Sequence, residues 1–235
     1  GDGVSFKVNE PANALTVRYT VPDGASGQLD VQVNCHSVQQ LDLSSSSNWQ
    51  YLNDKGVHDS AQADTRARFQ FDEVHSLLPG IQLQKGDVVS LVKNKADDVH
   101  YGLDFVEFEQ APDPIAQGDN AINIVSKGAT PNDDTDDSQA LYDAIYEAKQ
   151  TGKNVYIPAG RFNLNRKVGI DASDMKISGA GIWHTQLHFT SDKAGGGGFD
   201  FLNQDNHVQF SDVYLSSNLR SRNGAHAYFQ AISGT

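Results

Sequence analysis

The sequence predicts an all-β protein in two parts, a β-sandwich followed by a stack of parallel coils closed by one helix. Three observations carry this. Apolar and polar residues alternate over most of the chain, and 21 glycines with Asp, Asn and Ser clusters divide the runs. Only the stretch after Asp137 repeats its apolar residues at helical spacing. At 235 residues the chain suits one large domain or two small ones, at ~100–200 residues each.

In the first half Leu15, Val17, Tyr19 and Val21 alternate with Thr16, Arg18 and Thr20, which gives a strand one apolar face. Leu29, Val31 and Val33 repeat the pattern, as do Phe69 with Phe71, the run Val88 to Val92, and Tyr101, Leu103 and Phe105. Antiparallel sheets with one wet face produce such alternation, so residues 1–110 read as a sandwich. Pro112 and Pro114 then mark an exposed linker over 111–121. Beyond it, residues 122–235 begin with a helix whose apolar face is Ala140, Leu141, Ala144, Ile145 and Ala148. Asp133, Asp134, Asp136 and Asp137 precede it and Gly152 follows, which predicts acidic capping at the start and a glycine stop.

After the helix the period falls to two. Val155 to Ile157, Met175 to Ile177, Leu187 to Phe189, Phe199 to Phe201, Val208 to Phe210 and Val213 to Leu215 are short strands with no Asn-Gly or Asp-Gly hairpin pair between them. A chain winding one way through parallel coils fits this pattern. The spacing is uneven, 20 residues from Val155 to Met175 and 33 from Met175 to Val208, and an ordinary second sandwich is the alternative it leaves open.

Composition narrows the function. Lys+Arg 18 against Asp+Glu 30 gives a net charge of −12, which argues against nucleic acid and anionic membranes as partners. A single cysteine, Cys35, cannot form an intrachain disulfide, a thiolate zinc site or an iron–sulfur cluster. No run approaches the ~20 apolar residues of a membrane span, and the opening residues lack a signal-peptide pattern, so a soluble chain that is processed or part of something longer is expected. Nucleophile-elbow, phosphate-loop and zinc-protease motifs are missing, and Gly195 to Gly198 reads as a loop.

The stretches Asn123 to Leu141 (NIVSKGATPNDDTDDSQAL) and Asn154 to Leu164 (NVYIPAGRFNL) resemble the amino-terminal cap of right-handed parallel β-helix enzymes of the pectate-lyase type. With Ile177 to His188 (ISGAGIWHTQLH) and the upstream Gly102 to Glu109 (GLDFVEFE), the likeness narrows. It is similar to bacterial α-1,3-glucanases (mutanases) and their mycodextranase relatives, in which a carbohydrate-binding-module-like sandwich precedes a β-helix. The resemblance implies a jelly-roll-like sandwich, then the capped start of a right-handed parallel β-helix. It also implies a secreted glycoside hydrolase acting on a neutral α-glucan. About three coils can follow the cap helix, so a fragment is expected, with the catalytic aspartates and the rest of the β-helix farther along the parent protein.

Glycoside hydrolysis needs two carboxyl groups across the scissile bond. Asp171, Asp174, Asp192, Asp200, Asp205 and Asp212 lie on the expected coils, their spacing singles out no pair, and no catalytic residue is named. Asp104 stands where the resembled modules place a structural calcium ligand; no organic cofactor is expected. His184, Gln186 and His188 would share one strand face, Trp183, Thr185, Leu187 and Phe189 the other. Four residues at ~3.3 Å hold the two histidines about 13 Å apart, too far to share one ion. A solvated face and a sugar-binding face are both compatible with that pattern. Trp49 and Tyr51 flank Gln50 on one strand face and would serve as a sandwich core or as sugar platforms. The substrate-binding candidates are therefore Trp49, Tyr51, Trp183 and His184. Arg220 and Arg222 form a local basic spot expected to pair with nearby acids. A non-catalytic, tailspike- or adhesin-like glycan binder and a polysaccharide lyase are the rival readings.

Overall fold

The computed structural model describes residues 2–58, 60–193, 195–202, 207–218 and the backbone of 229–230. The chain divides into two units, Gly1–Ala111 and Pro112–Thr235.

The first unit contains β1 (Gly3–Lys7), β2 (Ala14–Thr20), β3 (Ser26–Val33), β4 (His36–Ser44) and β5 (Trp49–Asn53), then β6 (Gly56–His58), β7 (Arg66–Phe69), β8 (Asp72–Leu77), β9 (Val88–Lys93) and β10 (Gly102–Glu109). Two antiparallel sheets, ordered β1-β9-β3-β4 and β10-β2-β8, share one core that includes Leu15, Val17, Leu29, Val31, Leu43 and Leu91. Gln39 Nε2 donates across them to Ser76 Oγ at 2.9 Å. A small third sheet, β6-β5-β7, is tied to the end of β2 by Asn48, whose Oδ1 accepts from Val21 N at 3.0 Å.

One strand departs from its expected alternation. The β10 register against β2 slips between Leu103 and Phe105, so Asp104 is an extra residue, and the faces exchange beyond it. Val106 and Phe108 then pack on the core, whereas Phe105 is 38% exposed and lies beside Arg18. The expectation that Tyr101, Leu103 and Phe105 share one face is corrected accordingly.

The second unit opens with β11 (Ala121–Asn123), a 3₁₀ turn (Ile124–Lys127) and α1 (Ser138–Thr151). Its strands continue as β12 (Asn154–Ile157), β13 (Gly160–Leu164), β14 (Val168–Ile170), β15 (Lys176–Gly179), β16 (Thr185–Phe189), β17 (Phe199–Phe201), β18 (Gln209–Ser211), β19 (Tyr214–Ser217) and β20 (Phe229–Gln230). Three sheets, β11-β12-β15-β18, β13-β16-β19 and β14-β17-β20, contain only parallel pairs. Each circuit of the chain therefore adds one strand to every sheet, which is the winding the missing hairpin signals predict and a second sandwich is not. In-register stacks such as Phe162↔Leu187↔Leu215 fill the interior. Gly179 lies at a corner where a Cβ would come within 2.2 Å of Asp212 O, so the next coil passes close only over glycine.

Helix α1 covers the open end. Leu141, Ala144 and Ala148 are fully buried in the coil core, and Gly152, at φ 67°, ends the helix as expected. Of the acids before it, Asp136 bonds the helix start, and both Asp136 and Asp137 also hold the edge of the first coil. Asp137 occupies the N-cap position, yet its side chain makes no bond to the helix. Its Oδ1 accepts from Thr130 N at 2.9 Å and its Oδ2 from Asn163 N at 3.1 Å. Asp136 Oδ1 accepts from Ser138 N at 3.2 Å and from Asn165 N at 2.9 Å, and Asp136 bridges Asn163 as a parallel partner. The first coil has no coil beneath it, so its edge N–H groups need other acceptors, and these carboxylates provide them.

The proline segment is exposed, as expected, but tethered within its own unit. Ile115 N donates to Ala180 O at 2.9 Å, and Tyr156 Oη donates to Ile115 O at 2.6 Å.

Candidate functional site

The outer face of sheet β13-β16-β19 is a ladder of polar side chains with one cation, Arg161, at its first rung. Register stacks Arg161 with Gln186 and Tyr214, and Asn163 with His188 and Ser216. Gln186 Nε2 donates to Ser216 Oγ at 2.8 Å, and that hydroxyl lies 2.7 Å from His188 Nδ1. His188 Nε2 is 3.1 Å from Asn218 Oδ1, so the ring donates there and accepts from Ser216. Burial pushes His188 below its ordinary value, and the nearby Arg161 charge adds to the shift. The imidazole is thus held neutral at neutral pH. The neutral donors and acceptors of Gln186, His188, Ser216 and Asn218 can hydrogen-bond sugar hydroxyls.

His184 is not part of that ladder. Strand β16 begins only at Thr185, and Trp183 and His184 lie in the preceding turn, closed by His184 N donating to Gly181 O at 3.0 Å. The period-two argument that put His184 beside Gln186 and His188 therefore fails at the strand boundary. His184 Nε2 instead meets Pro112 O at 2.7 Å and secures the proline segment. Trp183 is half-buried in the same turn, while Thr185, Leu187 and Phe189 point inward as expected.

On the sandwich, Trp49 and Tyr51 share a face but not a fate. Tyr51 is 7% exposed and its hydroxyl donates to Asp23, so it packs the unit and offers no ring face to a ligand, which corrects its candidacy. Trp49 is half-buried, with Nε1 donating to Val21 O at 2.8 Å. The strand pairing sets Phe69 directly across from it, 56% exposed. Phe69 was absent from the sequence candidates, although its alternation with Gln70 and Phe71 is the signal that could have found it.

Asp104 does not fit calcium. The bulge turns it toward Arg18, whose Nε is 3.5 Å from Asp104 Oδ2, and the guanidinium lies over the rings of Phe71 and Phe105 at 5.4 and 5.7 Å. Calcium takes 6–8 oxygens, whereas here one carboxylate faces a cation, and no group of three His, Cys, Asp or Glu side chains gathers among the described residues. The coil acids are engaged as well: Asp171 with Lys149 at 2.7 Å, Asp200 with Lys167 at 3.3 Å and Asp174 with His207 at 3.1 Å. Asp212 accepts from Ser211 Oγ at 2.7 Å, and Asp192 is exposed. Asp205, Arg220 and Arg222 lie outside the described residues.

Residues 1–111 match the family described as alpha-1,3-glucanase catalytic domain D1, and residues 121–222 the family described as rhamnogalacturonase A/epimerase, pectate lyase-like. No curated protein sequence matches the chain. Among solved structures, the catalytic domain of Agl-KA is 36% identical, with 94% of this chain and 40% of that one covered and a TM-score of 0.83. The catalytic unit of a thermostable GH87 alpha-1,3-glucanase from Streptomyces thermodiastaticus strain HF3-3 is 29% identical, with 93% and 37% covered and a TM-score of 0.70. A GH87 alpha-1,3-glucanase catalytic domain in complex with nigerose shares the fold, at 21% identity and a TM-score of 0.71, over 95% of this chain and 40% of that one. The chain thus spans about two-fifths of the structures it matches.

Proposed function

Because this chain joins a domain of the α-1,3-glucanase D1 type to the start of a pectate-lyase-like coil stack, we propose that it is part of a glycoside hydrolase that degrades α-1,3-glucan. The observation that carries the reading is the match of residues 1–111 to the family described as alpha-1,3-glucanase catalytic domain D1. The substrate is a neutral glucan, which suits a surface of net charge −12 and the neutral hydrogen-bonding groups of Gln186, His188 and Ser216. An enzyme for such a polymer works outside the cell that makes it, so the parent protein is secreted. Hydrolysis is assigned to two aspartates placed across the scissile bond; Asp171, Asp174 and Asp200 each meet a basic partner instead.

The test is incubation of the intact parent protein with insoluble α-1,3-glucan, with α-1,6-glucan and pectate alongside. Soluble reducing ends from α-1,3-glucan alone are the expected result. Unsaturated products from pectate would replace this reading with a lyase, and retention of glucan with no cleavage would replace it with a binding protein.

A further inference from the structure

We propose that the sandwich unit carries a glucan-binding groove of its own, centred on Phe69 and Trp49 and separate from the coil stack. The inference rests on the glucan reading above for its ligand and on the groove's own geometry for its place. Val21, Pro22, Trp49, Phe69, Tyr101 and Gly102 line a 410 Å³ cleft, within the ~300–1,000 Å³ of small-molecule sites. The surface it exposes is nearly all apolar, with Trp49, Phe69 and Tyr101 as its large rings and Thr20 and His100 completing the lining.

The rings are held before any ligand arrives. Trp49 is fixed through its Nε1 bond to Val21 O, and Phe69 meets it edge to face with centroids 6.5 Å apart. Phe71 also meets Phe69 edge to face, at 5.6 Å and 90°. Tyr101 is anchored by its hydroxyl on Asp97 and by Gln28 N donating to it at 3.1 Å. Little conformational freedom is left to lose on binding. Gly102 keeps one wall low, since a Cβ there would come within 2.9 Å of Thr20 Cγ2.

A sugar ring has an apolar face and a polar rim, and the cleft offers the complement. Aromatic walls meet the face, while exposed His100 stands at the edge and can serve the rim. Anionic polymers are disfavoured by the net charge of −12. A neutral glucan is therefore the occupant, and the groove would keep an insoluble polymer close while other coils cut it.

The 235-residue chain itself is mixed with insoluble α-1,3-glucan and the bound fraction is measured after sedimentation. The wild-type chain should sediment with the polymer. Phe69→Ala should lower its affinity at least tenfold, Phe69→Tyr should keep most of it, and Tyr142→Ala, which removes an exposed ring from α1, should change nothing. Circular dichroism on each variant separates loss of binding from loss of fold, because Phe69 is mostly solvent-exposed. Equal sedimentation of Phe69→Ala and wild type, or no sedimentation of the wild-type chain, overturns the groove. Cleavage by the parent protein is scored separately. Cleavage without retention by this chain removes the groove alone, and Phe69-dependent retention without cleavage removes the hydrolase reading alone.

Discussion

Replacing Phe162 with alanine should destabilise the coil unit by about 3–5 kcal/mol, the range for truncating a buried phenylalanine. Phe162 is fully buried on β13 and stacks in register on Leu187 and then Leu215, inside the cluster that also receives Leu141 and Ile145 from α1. The end coil has neighbours on one side only, and α1 is its lid on the other. A cavity there cannot be filled by sliding a strand, because every backbone bond of the ladder fixes the register. Thermal unfolding followed by circular dichroism should show the transition of this unit about 10–20 °C lower. A shift under about 3 °C would mean that the interior at this level is loose.

Asp137→Asn and Asp137→Ala should both weaken the same end, by about 1–3 kcal/mol, the cost of leaving a buried donor unpaired. Asp137 is 2% exposed, and its two oxygens accept from two different backbone N–H groups, Thr130 and Asn163. Asparagine can serve one of them and turns an NH₂ toward the other; alanine serves neither. The pH dependence adds a second check. Burial, with the charges of Asp133 and Asp136 added, raises the Asp137 carboxyl above its ordinary range. A raised acid binds more protons folded than unfolded, so its contribution is fully present below the unfolded pKa and is lost as pH rises through the folded one. Stability of the wild type should therefore carry a falling component just above the ordinary carboxylate range, and both variants should lack it. Denaturant midpoints across that range measure the difference. An identical pH profile in wild type and variants would contradict the assignment.

Much of this architecture was legible because local pattern and burial agree. Ala140, Leu141, Ala144, Ile145 and Ala148 read as one helical face, and all are buried. Phe162, Leu187 and Leu215 read as the apolar positions of short strands, and they stack. What escaped the sequence were features set by neighbours far along the chain. The bulge at Asp104 is visible only against β2, so neither the reversal of Phe105 nor the Arg18 partner could be read locally. Asp133 to Asp137 look like helix caps by proximity, but the edge of β13, distant in sequence, recruits Asp136 and Asp137. His184 failed for a smaller reason, a strand that starts one residue later than the alternation suggests. The candidate site was legible in part. Trp49 was found because tryptophan is conspicuous, whereas Phe69 becomes a partner only through the β5 and β7 pairing. The ladder of His188, Ser216 and Asn218 depends on uneven coil lengths, with Val155 opposite Ile177 and Ile177 opposite Phe210, and such spacing cannot be guessed from period alone.

One-way winding is what every other statement about the second unit requires, and a cysteine pair can read it. In a Cys35→Ser chain, Arg161→Cys with Gln186→Cys sits at directly paired positions on adjacent parallel strands, at the ~4.8 Å strand spacing and within the ~4.4–6.8 Å a disulfide spans. Mild oxidation should close an intrachain disulfide in nearly all molecules, seen as faster migration on a non-reducing gel without loss of the native spectrum. Failure to close, or closure only after the chain is unfolded, would mean that these strands are not successive turns of one stack.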